Sequence, residues 1–128
     1  MATENLLLSM SLLVSGNNLS ATTDRYIFVK CGATEGDVVP AAAADVPLGI
    51  SQETGKNDEV INVGLVGISK LRLAGTVKAG NMVKVYTGAS DGRGVVSTNA
   101  SHAYGAMALE DGVTGDVISV LLTQGHGS

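Results

Sequence analysis

The run from Glu59 to Tyr86, EVINVGLVGISKLRLAGTVKAGNMVKVY, leaves this chain few folds to choose from. Val60, Ile61, Val63, Val66, Ile68, Val77, Val83 and Val85 are branched at Cβ, which restricts χ1 and suits a pleated surface. Leu71 and Leu73 alternate with Lys70 and Arg72, so a strand here turns its leucines inward and its cations outward. Gly64, Gly67, Gly75 and Gly80 recur every few residues. Each would cost a helix interior about 1 kcal/mol. Tight turns between short strands use glycine without that penalty. The run therefore reads as two or three strands of a small β core, with the glycines between them.

A weak internal recurrence extends this reading along the chain. Glu35-Gly36-Asp37-Val38-Val39, Ala79-Gly80-Asn81-Met82-Val83 and Thr114-Gly115-Asp116-Val117-Ile118 share a glycine, then Asp or Asn, then two apolar residues. Glycine supplies positive φ, and the Asx side chain bonds nearby backbone, a combination that suits entry into a strand. Further strand signals lie at Tyr26–Cys31, Leu48–Ile50, Val95–Thr98 and Tyr104–Leu109. Ser51–Asp58 reads as an exposed loop and Thr123–Ser128 as a frayed tail. No convincing helical periodicity occurs. Seventeen glycines in 128 residues, about twice the usual share of roughly 7%, fit turn-rich β structure. The fold class is all-β, a compact barrel or sandwich.

Residues 1–20 differ in character. Leu6, Leu7, Leu8, Met10, Leu12, Leu13 and Val14 make an apolar run too short to cross a bilayer as a helix. Glu4 stands where a signal peptide has its positive charges, and no A-x-A-like cleavage site follows. Two readings stand side by side. The run packs on its own domain as a strand or short helix, or it is an arm lying on a neighbouring subunit. Three segments result: an N-terminal arm at 1–20, a β domain at 21–125 and a frayed tail at 126–128.

Charge and chemistry narrow the function classes. The net charge is −4, against the basic field of a free-standing nucleic-acid binder. One Phe, three Tyr and no Trp leave little for stacking on bases or sugars. Lys70, Arg72, Lys78 and Lys84 form a local cationic group, either a solvated strand face or a docking surface for an acidic partner. Cys31, the single cysteine, excludes an internal disulfide, fits folding in a reducing cytoplasm, and reads as a small buried side chain at a strand end. His102 and His126 have no partner spacing for a metal, so no metal or cofactor is expected. Ser101-His102 is adjacency without an orienting group, and the Glu110-Asp111 pair lies in a turn. No catalytic residue is assigned. Were a site assembled between subunits, Asp91, His102 and Glu110 would be the residues to mutate first.

From about Ala21 to Gly125 the chain resembles the small capsid decoration, or cement, proteins of tailed bacteriophages. The residues that carry the likeness are Asp24–Lys30, Pro47–Ile50, Val63–Lys70, Ala74–Asn81, Gly105–Glu110 and Gly115–Leu122. Residues 1–20 lie outside the pattern. The resemblance implies a β-tulip-like domain, no catalysis and no cofactor, to which the reading of residues 1–20 adds an extended N-terminal arm. It implies folding in the host cytoplasm and attachment to the outer surface of an assembled virion head. There the protein would bridge subunits of the major capsid protein as a homo-oligomer, a trimer being favoured, with no nucleic-acid or membrane partner. The runner-up function is a trimeric β binding module, a fibre or carbohydrate-binding domain on a virion or cell surface.

Overall fold

The computed structural model describes residues 5–14, 19, 24–32, 36–41, 47–86, 92–97 and 103–126. Among the described residues nine strands follow one another: β1 (Asn5–Val14), β2 (Phe28–Cys31), β3 (Asp37–Pro40), β4 (Gly49–Ser51), β5 (Val60–Arg72), β6 (Met82–Val85), β7 (Gly94–Val96), β8 (Ala103–Ala108) and β9 (Val117–His126). They form one sheet in the order β1-β3-β2-β4-β5-β9-β8-β6-β7, with a further β1–β5 pairing. That pairing closes β1, β3, β2, β4 and β5 into a ring. The other four strands continue from β5, and an isolated bridge from Leu73 to Gly94 ties the far strand back beside the end of β5. The fold is all-β and compact. It is a single sheet with a closed first part, not the clean small barrel or sandwich that strand spacing alone suggested.

Two apolar clusters fill it. One holds Leu12, Val14, Leu19, Ile27, Val29, Val38, Ile61 and Val63, inside the ring. The other holds Phe28, Ile50, Leu71, Leu73, Val83, Ala106, Ile118 and Val120 among its members, under the β5–β9–β8–β6 half. Successive side chains of a strand point to opposite faces. Ile27 and Val29 therefore serve the first cluster while Phe28 serves the second, and β2 becomes a wall buried on both sides. That is why Tyr26–Val29 reads as an unbroken apolar run and not as an alternation. Along β5 the expected alternation holds, with Leu71 and Leu73 fully buried and Lys70 and Arg72 on the opposite face, part-exposed.

Gly64 and Gly67 do not interrupt the central run. β5 continues through both for 13 residues. Their glycine character serves neighbours, not turns. A Cβ on Gly67 would lie 2.5 Å from the Asn5 carbonyl oxygen and 2.8 Å from the Leu7 nitrogen. Here β1 is the hydrogen-bonded neighbour of β5, with Leu6 opposite Gly67, and the register shifts between Leu6 and Leu8 and again between Leu8 and Ser9. Gly67 also has φ +114°. A β-bulge with the paired backbone this close needs the missing side chain.

The Gly-Asx recurrence is a structural repeat. Gly36, Gly80 and Gly115 have φ of +85°, +90° and +91°, and each stands just before β3, β6 or β9. At Lys78–Asn81 the Asn81 amide donates to the Lys78 carbonyl (3.0 Å), and the Lys78 amide donates to Asn81 Oδ1 (2.9 Å). Val113–Asp116 repeats this reciprocal pair at 3.0 and 2.9 Å. With positive φ at the third residue these are type II turns. Val77 and Gly112 exchange two backbone bonds of 2.9 Å, which sets the two turns side by side. A third turn of the same design, Lys56–Glu59, has Asp58 at φ +69° in place of glycine.

Three sequence expectations are corrected. Cys31 is exposed, because it ends β2 beyond the buried wall. The stretch 51–58 is not wholly a free loop: Ser51 is buried, and Gly55 bridges to Leu19. The end of the chain is not frayed from Thr123, since β9 runs to His126, which stands opposite Ala103.

Candidate interaction surface

β1 carries the N-terminal leucines into the sheet. It runs antiparallel to β5 from Asn5↔Ile68 to Leu13↔Val60. Leu12 and Val14 point into the ring and are buried, and Leu13 and Leu6 are half-buried. Leu7, Leu8 and Met10 are the exposed ones, with Leu7 at 76%. Leu8 stands directly opposite Val66, which is also exposed. On its other side β1 meets β3 only at Leu13 and Val14. Along Asn5–Leu12 no strand lies beside that edge among the described residues. An apolar strand with an open edge is an unusual thing to leave in water. A shortened chain lacking residues 1–20, the segment read from sequence as an arm outside the β domain, would lose Leu12, Val14 and Leu19 from a core cluster.

The cationic residues do not form one group. Lys70 and Arg72 share the outer face of β5, two residues apart. Lys84 is on β6, opposite Val95. Lys78 opens a turn at the end of the sheet, where its Nζ lies 3.8 Å from Asp111 Oδ2, both side chains being largely exposed. Such an exposed pair contributes at most about 1 kcal/mol. Lys70 Nζ and Arg25 Cζ lie 5.4 and 4.6 Å from the centroid of the Tyr26 ring. Tyr26 has φ +64°. It is held there by its amide donating to the Ser51 carbonyl and its own carbonyl accepting from the Arg72 amide, at 2.9 and 2.7 Å. This cluster has no signature in the sequence, because it joins residues from three distant stretches.

Sequence reasoning also missed an apolar row. Ile68 pairs with Leu121, Leu121 with Met107, and Met107 with Met82. Directly opposed residues share a face, so the four side chains line up across β5, β9, β8 and β6. Their strand neighbours Leu71, Ile118, Val120, Ala106 and Val83 are buried on the other face. The row is therefore on the outside, half-exposed, with Leu121 at 39%.

Among the described residues no three His, Cys, Asp or Glu side chains stand close enough together to hold a metal. Glu110 is half-buried and Asp111 exposed, in the turn after β8; Asp111 Oδ1 accepts from the Ala79 amide at 2.8 Å, a structural bond. Asp91 and His102 lie outside the described residues. The arrangement offers surfaces for contact: the open β1 edge with its leucines, and the outer face of the second half of the sheet.

No protein-family profile matches the chain, and no curated protein does. Among solved structures the chain is similar in fold to the N base of the head fibre protein gp8.5 of bacteriophage phi29. The TM-score is 0.70 at 13% sequence identity, over 91% of this chain and 93% of that one.

Proposed function

We propose that this chain is a structural protein of a phage virion that decorates the outside of the assembled head. In this reading it bridges neighbouring subunits of the major capsid protein and acts without catalysis. One observation carries the proposal: the likeness to a head-fibre base spans nearly the whole of both chains. The open edge and exposed leucines of β1 support it, since an attachment protein keeps apolar surface for its partner.

The mechanism is linkage. A protein that binds only the completed shell stabilises that shell by its binding free energy. Many identical weak contacts around a closed lattice act together, so no single one must be tight. Leu7, Leu8 and Met10 are the residues of β1 placed to touch a capsid subunit or an adjacent protomer. Leu12 and Val14 hold β1 to its own domain. The oligomer we favour is a trimer.

The test is to purify heads made with and without this chain. Heads that carry it should contain it in fixed stoichiometry and withstand heat and osmotic shock better. Equal resistance of both preparations would remove the decoration role. The second reading takes the neighbour's description at its word: the domain is the base from which a fibre projects. It is favoured if electron microscopy shows a longer appendage rising from each bound domain.

A further inference from the structure

We propose that the protein docks through the outer face of the β5–β9–β8–β6 sheet, onto a surface of the head shell that presents apolar side chains ringed by carboxylates. The inference rests on the head-surface reading above and assigns the face and the chemistry of the partner. Its first support is the row of Ile68, Leu121, Met107 and Met82. Three strand spacings make it about 14 Å wide. That is a continuous apolar bar left half in water, beside inner-face neighbours that are fully or almost fully buried.

Charge supplies the second support. Lys70 and Arg72 flank the row at its β5 end and Lys84 flanks it at its β6 end, on the opposite side, because the strands alternate in direction. Among the described residues no Asp or Glu occupies a strand position of this face, although the chain has twelve acidic residues against eight basic ones. The nearby carboxylates Glu110, Asp111 and Asp116 sit in the turns at the sheet's end. The field of the face is thus opposite in sign to that of the protein. The Nε of Arg72 is shielded from solvent and has no hydrogen-bond partner among the described residues.

The same features reject other occupants. Two copies meeting through this face would bring like charges together. Nucleic acid would find an apolar bar, and the Tyr26 ring beside Lys70 is already covered by Lys70 and Arg25. A bar one residue wide with no tryptophan is a poor membrane anchor.

The experiment uses the full chain and heads assembled without it, with bound protein measured against concentration and salt. The double variant Lys70→Glu/Lys84→Glu is expected to lower apparent affinity about tenfold or more and to flatten the salt dependence. Leu121→Gln is expected to weaken binding with the salt dependence retained. Lys78→Glu, at the turn tip, is expected to stay within about twofold of wild type. Lys84→Glu alone, remote from the Tyr26 ring, keeps the test decisive if loss of the Lys70–Tyr26 contact lowers the melting temperature. Wild-type affinity in the charge-reversed variants overturns the assignment of this face while leaving head binding intact, and so does an equal loss in Lys78→Glu. A wild-type chain that binds no heads removes the head-surface reading and this inference with it. Binding to phosphatidylserine vesicles or duplex DNA that the same charge reversal abolishes overturns the choice of a protein partner.

Discussion

Replacing Gly67 with alanine tests the close pairing of β1 with β5 at the bulge, and its cost can be worked out from two terms. The first is backbone strain. At φ +114° an L-residue pays about 1–2 kcal/mol for a left-handed or still rarer conformation. The second is contact. The new Cβ would lie 2.5 Å from the Asn5 oxygen, 2.8 Å from the Leu7 nitrogen and 3.0 Å from the Leu6 Cα, all backbone atoms that no rotamer change can move aside. Either β1 lifts or β5 bends, and overpacking of this kind costs about 1–3 kcal/mol. The sum is about 2–5 kcal/mol, which for a chain of this size lowers Tm by about 6–20 °C. Gly115→Ala is the matched control. Its φ is +91°, yet an added Cβ meets nothing within 4 Å, so only the strain of about 1–2 kcal/mol applies. Urea and thermal unfolding followed by circular dichroism measure both variants. If Gly67→Ala is no more destabilising than Gly115→Ala, β1 is not pinned at this point and the account of the bulge is wrong.

Other outcomes follow from the same packing. Leu12→Ala empties part of the ring cluster and should cost about 2–5 kcal/mol in chemical denaturation, whereas Leu7→Ala, largely in solvent, should fall within about 0.5 kcal/mol of wild type. Removing residues 1–20 should give a chain lacking cooperative unfolding, checked by the loss of a sharp melting transition. Asn81→Ala removes the side-chain acceptor of the Lys78 amide and should cost about 1 kcal/mol by urea midpoint. Cys31, exposed at the end of β2, should react with a maleimide in the native protein at a rate close to that in urea, and slow labelling would contradict its placement.

How far the sequence reaches can be judged from particular residues. Lys70-Leu71-Arg72-Leu73 announced its own facing, because alternation is a local signal. Gly80 and Gly115 announced strand entries, because a type II turn is closed within four residues, and Gly36 shares their positive φ just ahead of β3. Gly64 and Gly67 misled, since the reason for each lies elsewhere in the chain: the backbone of the paired strand β1 at Gly67, and the Leu6 and Gln52 side chains at Gly64. Strand length in β5 was hidden for the same cause. The row of Ile68, Met82, Met107 and Leu121 has no spacing to read, as register across four strands brings it together. Of the β1 leucines, sequence could find the apolar run but not divide it, because core and surface positions depend on bulges set by β5. The cationic set was found but overgrouped, as charge along a chain does not report which ends of a sheet the charges occupy.

The strand β5 gives Ile61 and Val63 to one apolar cluster and Leu71 to the other. Neither half can open without drawing on the same strand, so amide protons in both should exchange through one global event with a common free energy. A clamp applied to either half would then slow exchange in the far one. Rigidity gained at a docking face would reach the opposite end of the molecule with no moving part between.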